Sequence, residues 1–358
     1  MRRTIRYGAW LVMVTLLLSA CADPALRSDS DAATATPLVW PKPPAQERIR
    51  YLKSVGSPQD WGINRSFLRR LIDAISGGGE ERFVRPSAVA ERAGVLYVAD
   101  PGAQAVWILD APRGQYSKIT QINEQLLISP VALALGSGST LFVADTGLKK
   151  IFLLDRDGTQ LRTIATQGLE RPAGIAWDES AQKLFALDSL RHRISVFDAA
   201  GNLLGHLGDS GNLNGQFNHP THLALDANAA LLVTDALNFR VQALDQKGNF
   251  LWKFGKVGNG AGDFAAPKGI AADSEGHVYV VDAMFDAVQI FDQQGQLLLA
   301  FGEHGAQRGQ FALPTGIYIS AQDRVYVADA YNRRIQIFLG AVATEKTTAT
   351  ATAKDNVK

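Results

Sequence analysis

The sequence predicts an all-β propeller of six blades, with four antiparallel strands in each blade. The first observation is an apolar segment that ends in Asp and recurs six times: LYVAD at Asp100, LFVAD at Asp145, LFALD at Asp188, LLVTD at Asp235, VYVVD at Asp282 and VYVAD at Asp329. The second is the spacing, since successive Asp residues lie 45, 43, 47, 47 and 47 residues apart. The third is a Pro that opens each repeat. Such a period, with several short strands per unit, is typical of architectures whose units bury their apolar faces by stacking on neighbours.

The fourth repeat shows the four strand signals of one unit. They are THLALD from Thr221, LLVTD from Leu231, VQALD from Val241 and NFLWKFG from Asn249, with Asn, Gly and Asp at the turns. Four antiparallel strands repeated six times indicate six blades around a central channel. The repeats run from about residue 82 to residue 340.

The sixth repeat lacks an outermost strand, because PTGIYI, RVYVAD and RRIQIFLG are followed only by a polar tail. The segment ERIRYLKSVG at 47–56 lies before the first repeat and alternates apolar and polar residues. We predict that this segment pairs with the last blade and closes the ring, which protects the edge of the sheet. The propeller would then cover 47–340.

A short helix is predicted at about 64–76, between the closing strand and the first repeat. Its apolar residues recur at helical spacing: Phe67, Leu68, Leu71, Ile72 and Ile75. A helix of this length is marginal in isolation, so we expect its apolar face to pack on the propeller surface or on a partner.

The N-terminus predicts a cleaved export signal over residues 1–20. Three Arg precede an apolar run that is too short to span a bilayer. The string Leu18-Ser19-Ala20-Cys21 resembles the bacterial lipobox, which implies lipidation of Cys21, the only cysteine of the chain. An ordinary signal peptide with an incidental cysteine is the alternative. Residues 21–46 and 341–358 are polar or rich in Ala, Ser, Thr and Pro, and we predict a disordered tether and a disordered tail.

These features predict a lipid-anchored protein of the bacterial cell envelope, because several acyl chains hold a lipoprotein stably at a membrane surface. Ala22 follows the cysteine, and by resemblance to the sorting rule of enteric bacteria this favours the periplasmic side of the outer membrane. Asp23 leaves the inner membrane as the alternative.

The charge balance argues against a nucleic-acid partner. The chain has 36 Lys and Arg against 35 Asp and Glu, for a formal charge of +1. Loss of Arg2, Arg3 and Arg6 with the signal would leave the remainder slightly acidic. Such a balance gives no reason to expect binding to nucleic acid or to anionic lipid by charge alone.

The repeat motifs P-x-G-I-A-x-D, L-Y-V-A-D and D-x-x-N-x-R-I-Q-x-F-D resemble those of NHL repeats. The copies most similar to the family motif are Asp235–Val241 (DALNFRV) and Asp329–Ile335 (DAYNRRI). The resemblance covers most of the chain, and it implies a six-bladed propeller that is used mostly for binding, with a few enzymatic relatives. Because one fold serves both roles, function has to be argued from the site.

A basic residue stands five places after four of the six Asp residues. These residues are Lys150, Arg193, Arg240 and Arg334, whereas Ala105 and Ala287 take the same place in the first and fifth repeats. We interpret the Asp and the basic residue as a repeated ion pair that fixes the turn between them.

The residues after each opening Pro are expected to face the mouth of the channel: Ser87, Val131, Ala173, Thr221, Lys268 and Thr315. An enzymatic relative by resemblance, the peptidyl-hydroxyglycine lyase, holds zinc with His side chains near the axis, and such a site needs about three ligands. This chain offers His222 at that level and His219 in the preceding loop, while His192, His206, His277 and His304 are not expected to converge. We therefore predict no metal, no cofactor and no catalytic residue, with His222 solvated or hydrogen-bonded. A metal-dependent lyase or lactonase-like enzyme with a site at the mouth is the alternative function.

The hairpins after each Asp carry apolar and basic residues that are typical of a recognition surface. The candidate partner-binding residues are Phe239, Met284, Phe285, Tyr331 and Arg333, with His222 and Lys268 at the mouth. Some of these side chains would instead pack between blades. The sequence thus favours a binding or scaffold module for an envelope protein, a peptide or a polysaccharide.

Overall fold

The computed structural model describes residues 37–64, 81–164 and 168–340, and its main elements are six antiparallel sheets of four or five strands. Within these ranges there is no α-helix, and the only helical turns are the 3-10 segments Gln59–Trp61 and Ala236–Asn238. No helix in the same ranges is long and apolar enough to cross a membrane. The structure is therefore the all-β six-bladed propeller that the repeats predict.

Each of the first five blades contains four strands, which follow one another in chain order from the channel outwards. Blade 1 comprises Ala88–Arg92, Val95–Asp100, Ala105–Asp110 and Gln115–Ile119. Blade 2 comprises Pro130–Leu135, Leu141–Asp145, Lys150–Leu154 and Gln160–Ile164. Blade 3 comprises Pro172–Asp178, Lys183–Asp188, Arg193–Asp198 and Leu203–Leu207. Blade 4 comprises His222–Leu225, Leu231–Asp235, Arg240–Leu244 and Phe250–Phe254. Blade 5 comprises Pro267–Ala272, Val278–Asp282, Ala287–Phe291 and Leu297–Phe301.

Short strand pairs lie in the links between blades. Gln121–Ile122 pairs with Gln125–Leu126 after blade 1, and Asp209–Ser210 runs parallel to Gln216–Phe217 after blade 3. Single parallel bridges after blades 4 and 5 join Val257 to Phe264 and His304 to Phe311.

Blade 6 closes the ring with chain from both ends of the propeller. Its order from the channel outwards is Ile317–Ile319, Arg324–Asp329, Arg334–Leu339, Ile49–Val55 and Val39–Trp40. The segment Ile49–Val55 runs antiparallel to Arg334–Leu339, with Val55 opposite Ile335. This is the closure that the missing strand of the sixth repeat predicts.

The prediction of a disordered tether over residues 21–46 is wrong at its C-terminal end. Val39–Trp40 forms a fifth strand on the outer edge of Ile49–Val55, and the Trp40 ring lies 5.8 Å from Phe301 and 5.9 Å from Phe338. The free edge of the closing strand and the apolar junction of blades 5 and 6 together order this segment, whose Pro-rich composition had suggested a linker.

Several predictions fall outside the described residues. They concern the signal peptide at 1–20, Cys21, residues 21–36 of the tether, the predicted helix from residue 65 onwards and the tail at 341–358.

Six apolar clusters hold the ring together, one at each junction between adjacent blades. At the junction of blades 6 and 1, Tyr326 and Ile335 of one sheet pack with Trp107 of the next. Trp107 is fully buried, and the Tyr326 side chain is nearly so. Each blade thus buries its faces on both neighbours, as expected for a repeat that is not stable alone.

Candidate functional site

The six residues that follow the opening prolines meet at one end of the channel. Ser87, Val131, Ala173, Thr221, Lys268 and Thr315 all line a cavity of about 460 Å³, together with side chains from the adjoining loops. We call this cavity the mouth. The mouth face is the mouth together with the hairpins that follow the six repeated Asp residues.

The channel beneath the mouth is mostly apolar. It has a volume of about 280 Å³, and its lining comes from the inner strand of every blade, with side chains such as Val89, Leu133, Ile175 and Ile270. Apolar walls of this kind disfavour a polar ligand within the channel.

The loops around the mouth are held by the Asp residues that end the second strand of each blade. All six side chains are fully buried: Asp100, Asp145, Asp188, Asp235, Asp282 and Asp329. Each accepts one or two backbone N–H groups from the loop that precedes the opening Pro, at N···O distances of 2.6–3.0 Å for the shortest bond of each donor. In blade 5, for example, Ala265 and Ala266 donate to Asp282 at 2.8 and 3.0 Å.

The same carboxylates also hold the hairpins that follow them. Met284 donates its N–H to Asp282 at 3.0 Å, and the Leu148 N–H donates to Asp145 at 2.9 Å. Each Asp therefore ties together two loops of the mouth face.

The interpretation of the repeated Asp and basic residues as an ion pair holds in two blades and is wrong in two. Arg240 and Arg334 pair with the Asp five places earlier through Nε at 2.8 Å. Lys150 donates instead to Gln125, and the buried Nε of Arg193 has no hydrogen-bond partner in the described part of the chain. In blades 2 and 3 backbone N–H groups already occupy the Asp oxygens, so the basic residue is not needed there.

Sequence reasoning missed the roles of Asn and Gln in these hairpins. Asn332 donates to Asp329 and to the Gly305 carbonyl, while Gln336 donates to the same Asp at 3.0 Å and to the Gln310 carbonyl. Asn238 and Gln242 make the equivalent contacts in blade 4. The repeated D-x-x-N-x-R-x-Q string was a visible signal for this network.

His222 lies on the inner strand of blade 4 and lines both the mouth and the channel. Its Nδ1 is buried and has no hydrogen-bond partner among the described residues, so the prediction of a solvated or hydrogen-bonded His222 is wrong for that atom. Burial, and secondly the positive charge of Lys268, lower the pKa of His222 to about 3. The ring is therefore neutral at physiological pH.

Lys268 and Arg171 are the charged residues that line the mouth, and no carboxylate lines it with them. Burial lowers the pKa of Lys268, and the positive charge of Arg171 lowers it further, while Asp282 acts in the opposite direction. Neither basic side chain makes a hydrogen bond or an ion pair within the described ranges. The mouth therefore combines two basic side chains that have no carboxylate partner in its lining with a neutral imidazole.

His219 also lines the mouth, and it lies against His192. Their ring centroids are 4.6 Å apart, and the backbone N–H of His219 donates to Nδ1 of the His192 ring at 3.1 Å. The sequence did not predict this contact, which arises because the link before blade 4 brings His219 onto the blade 3 hairpin.

A zinc ion does not fit the side chains of this site. Across residues 37–64, 81–164 and 168–340, no three His, Cys, Asp or Glu side chains lie close enough to hold a metal. The positive charge of Lys268 beside His222 also opposes a bound cation. The donor set needed by the lyase-like alternative is thus not assembled in this part of the chain.

The mouth face carries exposed apolar side chains around these cations. The fractional exposures are 66% for Met284, 62% for Tyr331, 52% for Leu237 and 43% for Leu190. Arg333 is exposed beside Tyr331.

The two phenylalanines of the predicted recognition surface are less accessible. Phe239 packs partly against the apolar cluster between blades 4 and 5, and Phe285 is half-buried. Phe239 therefore contributes to the packing of the ring as well as to this face, as the sequence allowed for some hairpin residues.

Family models match two parts of the chain. A model described as a 6-bladed beta-propeller matches residues 221–300, and the NHL repeat model matches residues 311–338. Together with the six sheets, these matches confirm the resemblance to NHL repeats. The search of curated proteins found no match.

Several solved structures are similar in fold. A streptogramin B lyase aligns with a TM-score of 0.55 at 17% identity, over 72% of this chain and 93% of the lyase. A chain of a nidogen/laminin complex aligns with a TM-score of 0.51 at 22% identity, over 69% of this chain and 88% of that one. An auxiliary nutrient binding protein from Bacteroides thetaiotaomicron aligns with a TM-score of 0.56 at 12% identity, over 72% and 69% of the two chains. At these identities the likeness establishes the fold alone.

We expect the His222 ring to remain neutral at every pH above about 4, because its folded-state pKa is about 3. The unfolded chain, with a pKa near 6.5, binds the proton more readily, so this residue destabilises the fold as the pH falls from 6.5 toward 3. NMR titration of the imidazole carbons measures the folded-state value. In the Lys268→Met variant the midpoint should rise, because the positive charge that lowers the pKa of His222 is removed. A wild-type midpoint near 6.5 would show that the surroundings of the ring do not disfavour its charged form.

Proposed function

We propose that this chain is a binding module of the bacterial envelope, and that its mouth face holds a peptide segment of a partner protein. The observation that supports this most is the grouping of exposed apolar side chains, among them Leu237, Met284 and Tyr331, around a mouth lined by Lys268 and Arg171. Exposed apolar groups beside basic groups are what recognition of a protein surface requires.

The chemistry of the face favours a peptide over a polysaccharide. Leu190, Leu237 and Met284 offer flexible aliphatic contacts that suit apolar amino-acid side chains, whereas a sugar chain needs many hydrogen-bonding groups to replace its water. The buried Asp residues hold the backbone of these hairpins, which lowers the entropy lost when a partner binds.

The propeller architecture supports a binding role without specifying a ligand. Among the similar structures are an auxiliary nutrient binding protein and a chain of a nidogen/laminin complex, together with a lyase. A metal-dependent lyase or lactonase-like activity is the alternative, and the donor set around His222 does not favour it.

The proposed location is the periplasmic side of the outer membrane, with the propeller attached through lipid on Cys21. The apolar run, the lipobox-like string and the polar segment after it support this arrangement. A module held there would meet partner proteins within reach of its tether.

A photo-crosslinking amino acid at Tyr331 should capture a partner protein in intact envelopes, and the crosslinked residues of that partner should form one contiguous segment. The matched control carries the same group at Leu204, which is 55% exposed on the outer strand of blade 3. Mass spectrometry of the adducts identifies the segment. Changing Met284 to Ser should weaken capture at Tyr331, because the hairpin of the adjacent blade loses an exposed apolar side chain. Equal capture from both positions, or adducts that contain only polysaccharide, would refute the peptide proposal.

The Cys21→Ser variant should leave the membrane, because lipid can no longer be attached. Detergent-phase partitioning of cell extracts measures this, with the wild type expected in the detergent phase and the variant in the aqueous phase. Flotation of the wild type then separates outer from inner membrane. Retention of the variant in the detergent phase would show that another element anchors the chain.

A further inference from the structure

Two cavities adjoin at the mouth, and their linings differ in chemistry. The second cavity, which we call the side pocket, has a volume of about 330 Å³ and shares Ser87, Lys268 and Thr315 with the mouth. The rest of its lining is mostly apolar and comprises Arg85, Pro86, Pro101, Ala283, Leu313, Ala330 and Tyr331. Lys268 therefore stands between a cationic cavity and an apolar one.

Several polar groups on the mouth side have no partner. The side chains of Lys268 and Arg171 are not neutralised by any carboxylate of the mouth lining. The Thr221 Oγ1 and His222 Nδ1 atoms are buried without a hydrogen bond in the described part of the chain. Both atoms have almost no accessible surface, so the lining groups that a ligand in the mouth can contact are the Lys268 and Arg171 side chains.

We propose that the mouth and the side pocket together bind a carboxylate that is joined to an apolar group. The carboxylate would lie between Lys268 and Arg171, and the apolar group would fill the side pocket against Leu313 and Tyr331. This inference rests on the proposed function and names the ligand chemistry that the same face selects. The C-terminal residue of a peptide and a free aliphatic acid share this chemistry.

The charges around the mouth favour an anion over a neutral ligand. The positive charge of Arg171 disfavours the charged form of Lys268, and a bound carboxylate would offset that effect. The carboxylate of Asp282 offsets part of this effect, but it is not part of the mouth lining and already accepts the backbone N–H groups of Ala265, Ala266 and Met284.

Calorimetric titration of the full chain with three probes tests the proposal. The probes are the N-acetylated tripeptide Ala-Ala-Leu as a free acid, the same tripeptide as a C-terminal amide, and hexanoate. Binding of the free acid should exceed that of the amide by at least about tenfold, because the amide removes the charge. The side-pocket variant Leu313→Ser should weaken binding of the free acid severalfold, and it should not strengthen binding of the amide.

Charge variants show whether binding occurs at this site. Lys268→Met and Arg171→Met should each weaken binding of the free acid by about tenfold or more. Lys268→Arg should retain most of the binding. Lys247→Met is the matched control, because Lys247 lies in the turn between the third and fourth strands of blade 4, at the opposite end of that blade from its mouth hairpin.

The outcomes distinguish a peptide C-terminus from a free acid as the ligand. They also distinguish failure of this inference from failure of the proposed function. Tighter binding of the tripeptide acid than of hexanoate assigns the site to a peptide C-terminus, and the reverse assigns it to a free acid. Equal binding of acid and amide, equal loss in Lys247→Met and Lys268→Met, or no binding of either acid at millimolar concentration would overturn the inference. Partner capture at Tyr331 that persists in such a case would leave the proposed function standing.

Discussion

The six buried carboxylates at the ends of the second strands are the interaction on which the mouth face depends. A carboxylate removed from water needs donors, and in this propeller two loops supply them. The loop before the opening Pro donates backbone N–H groups, and the hairpin donates backbone N–H groups, as at Asp282, or Asn and Arg side chains, as at Asp329. Burial raises the pKa of Asp329, whereas the Ala312 N–H, Asn332 and Arg334 stabilise its charged form. Each blade thus uses one charge to hold both the entry to its inner strand and the hairpin that follows its second strand.

This arrangement separates the parts of the repeat that build the frame from the parts that are free to vary. The residue after the opening Pro lies in the mouth whatever its type, so blade 5 can place Lys268 where blades 4 and 6 place threonines. The blade 5 hairpin has no Arg in the position of Arg240, and backbone N–H groups of that hairpin donate to Asp282 instead. Departures from the repeat can therefore carry recognition without loss of the fold.

Periodicity made the blades, the ring closure and the mouth positions predictable, because each follows from counting strands between repeated Asp residues. The sequence could not show which side chains of different blades meet. The effect of Arg171 on Lys268 and that of Lys268 on His222 act across blade boundaries, and the contact of His192 with His219 depends on the course of a link. The ion-pair interpretation failed in blades 2 and 3, where backbone N–H groups donate to the Asp. Every residue except proline has such a group, so the sequence does not show which of them donate. The packing of Trp40 was not predicted, because the Pro-rich sequence around it is typical of a linker.

Amide hydrogen exchange in the Asp282→Ala variant, followed by NMR, tests this account most directly. Exchange should be faster at Ala265, Ala266 and Met284, because their N–H groups lose the same acceptor, while amides within the strands of blade 5 stay protected. The control Asp292→Ala removes the acceptor of a turn that joins the third and fourth strands of the same blade, and it should leave those three amides unchanged. Unchanged exchange at the three amides in Asp282→Ala would show that the mouth face does not depend on its buried carboxylates.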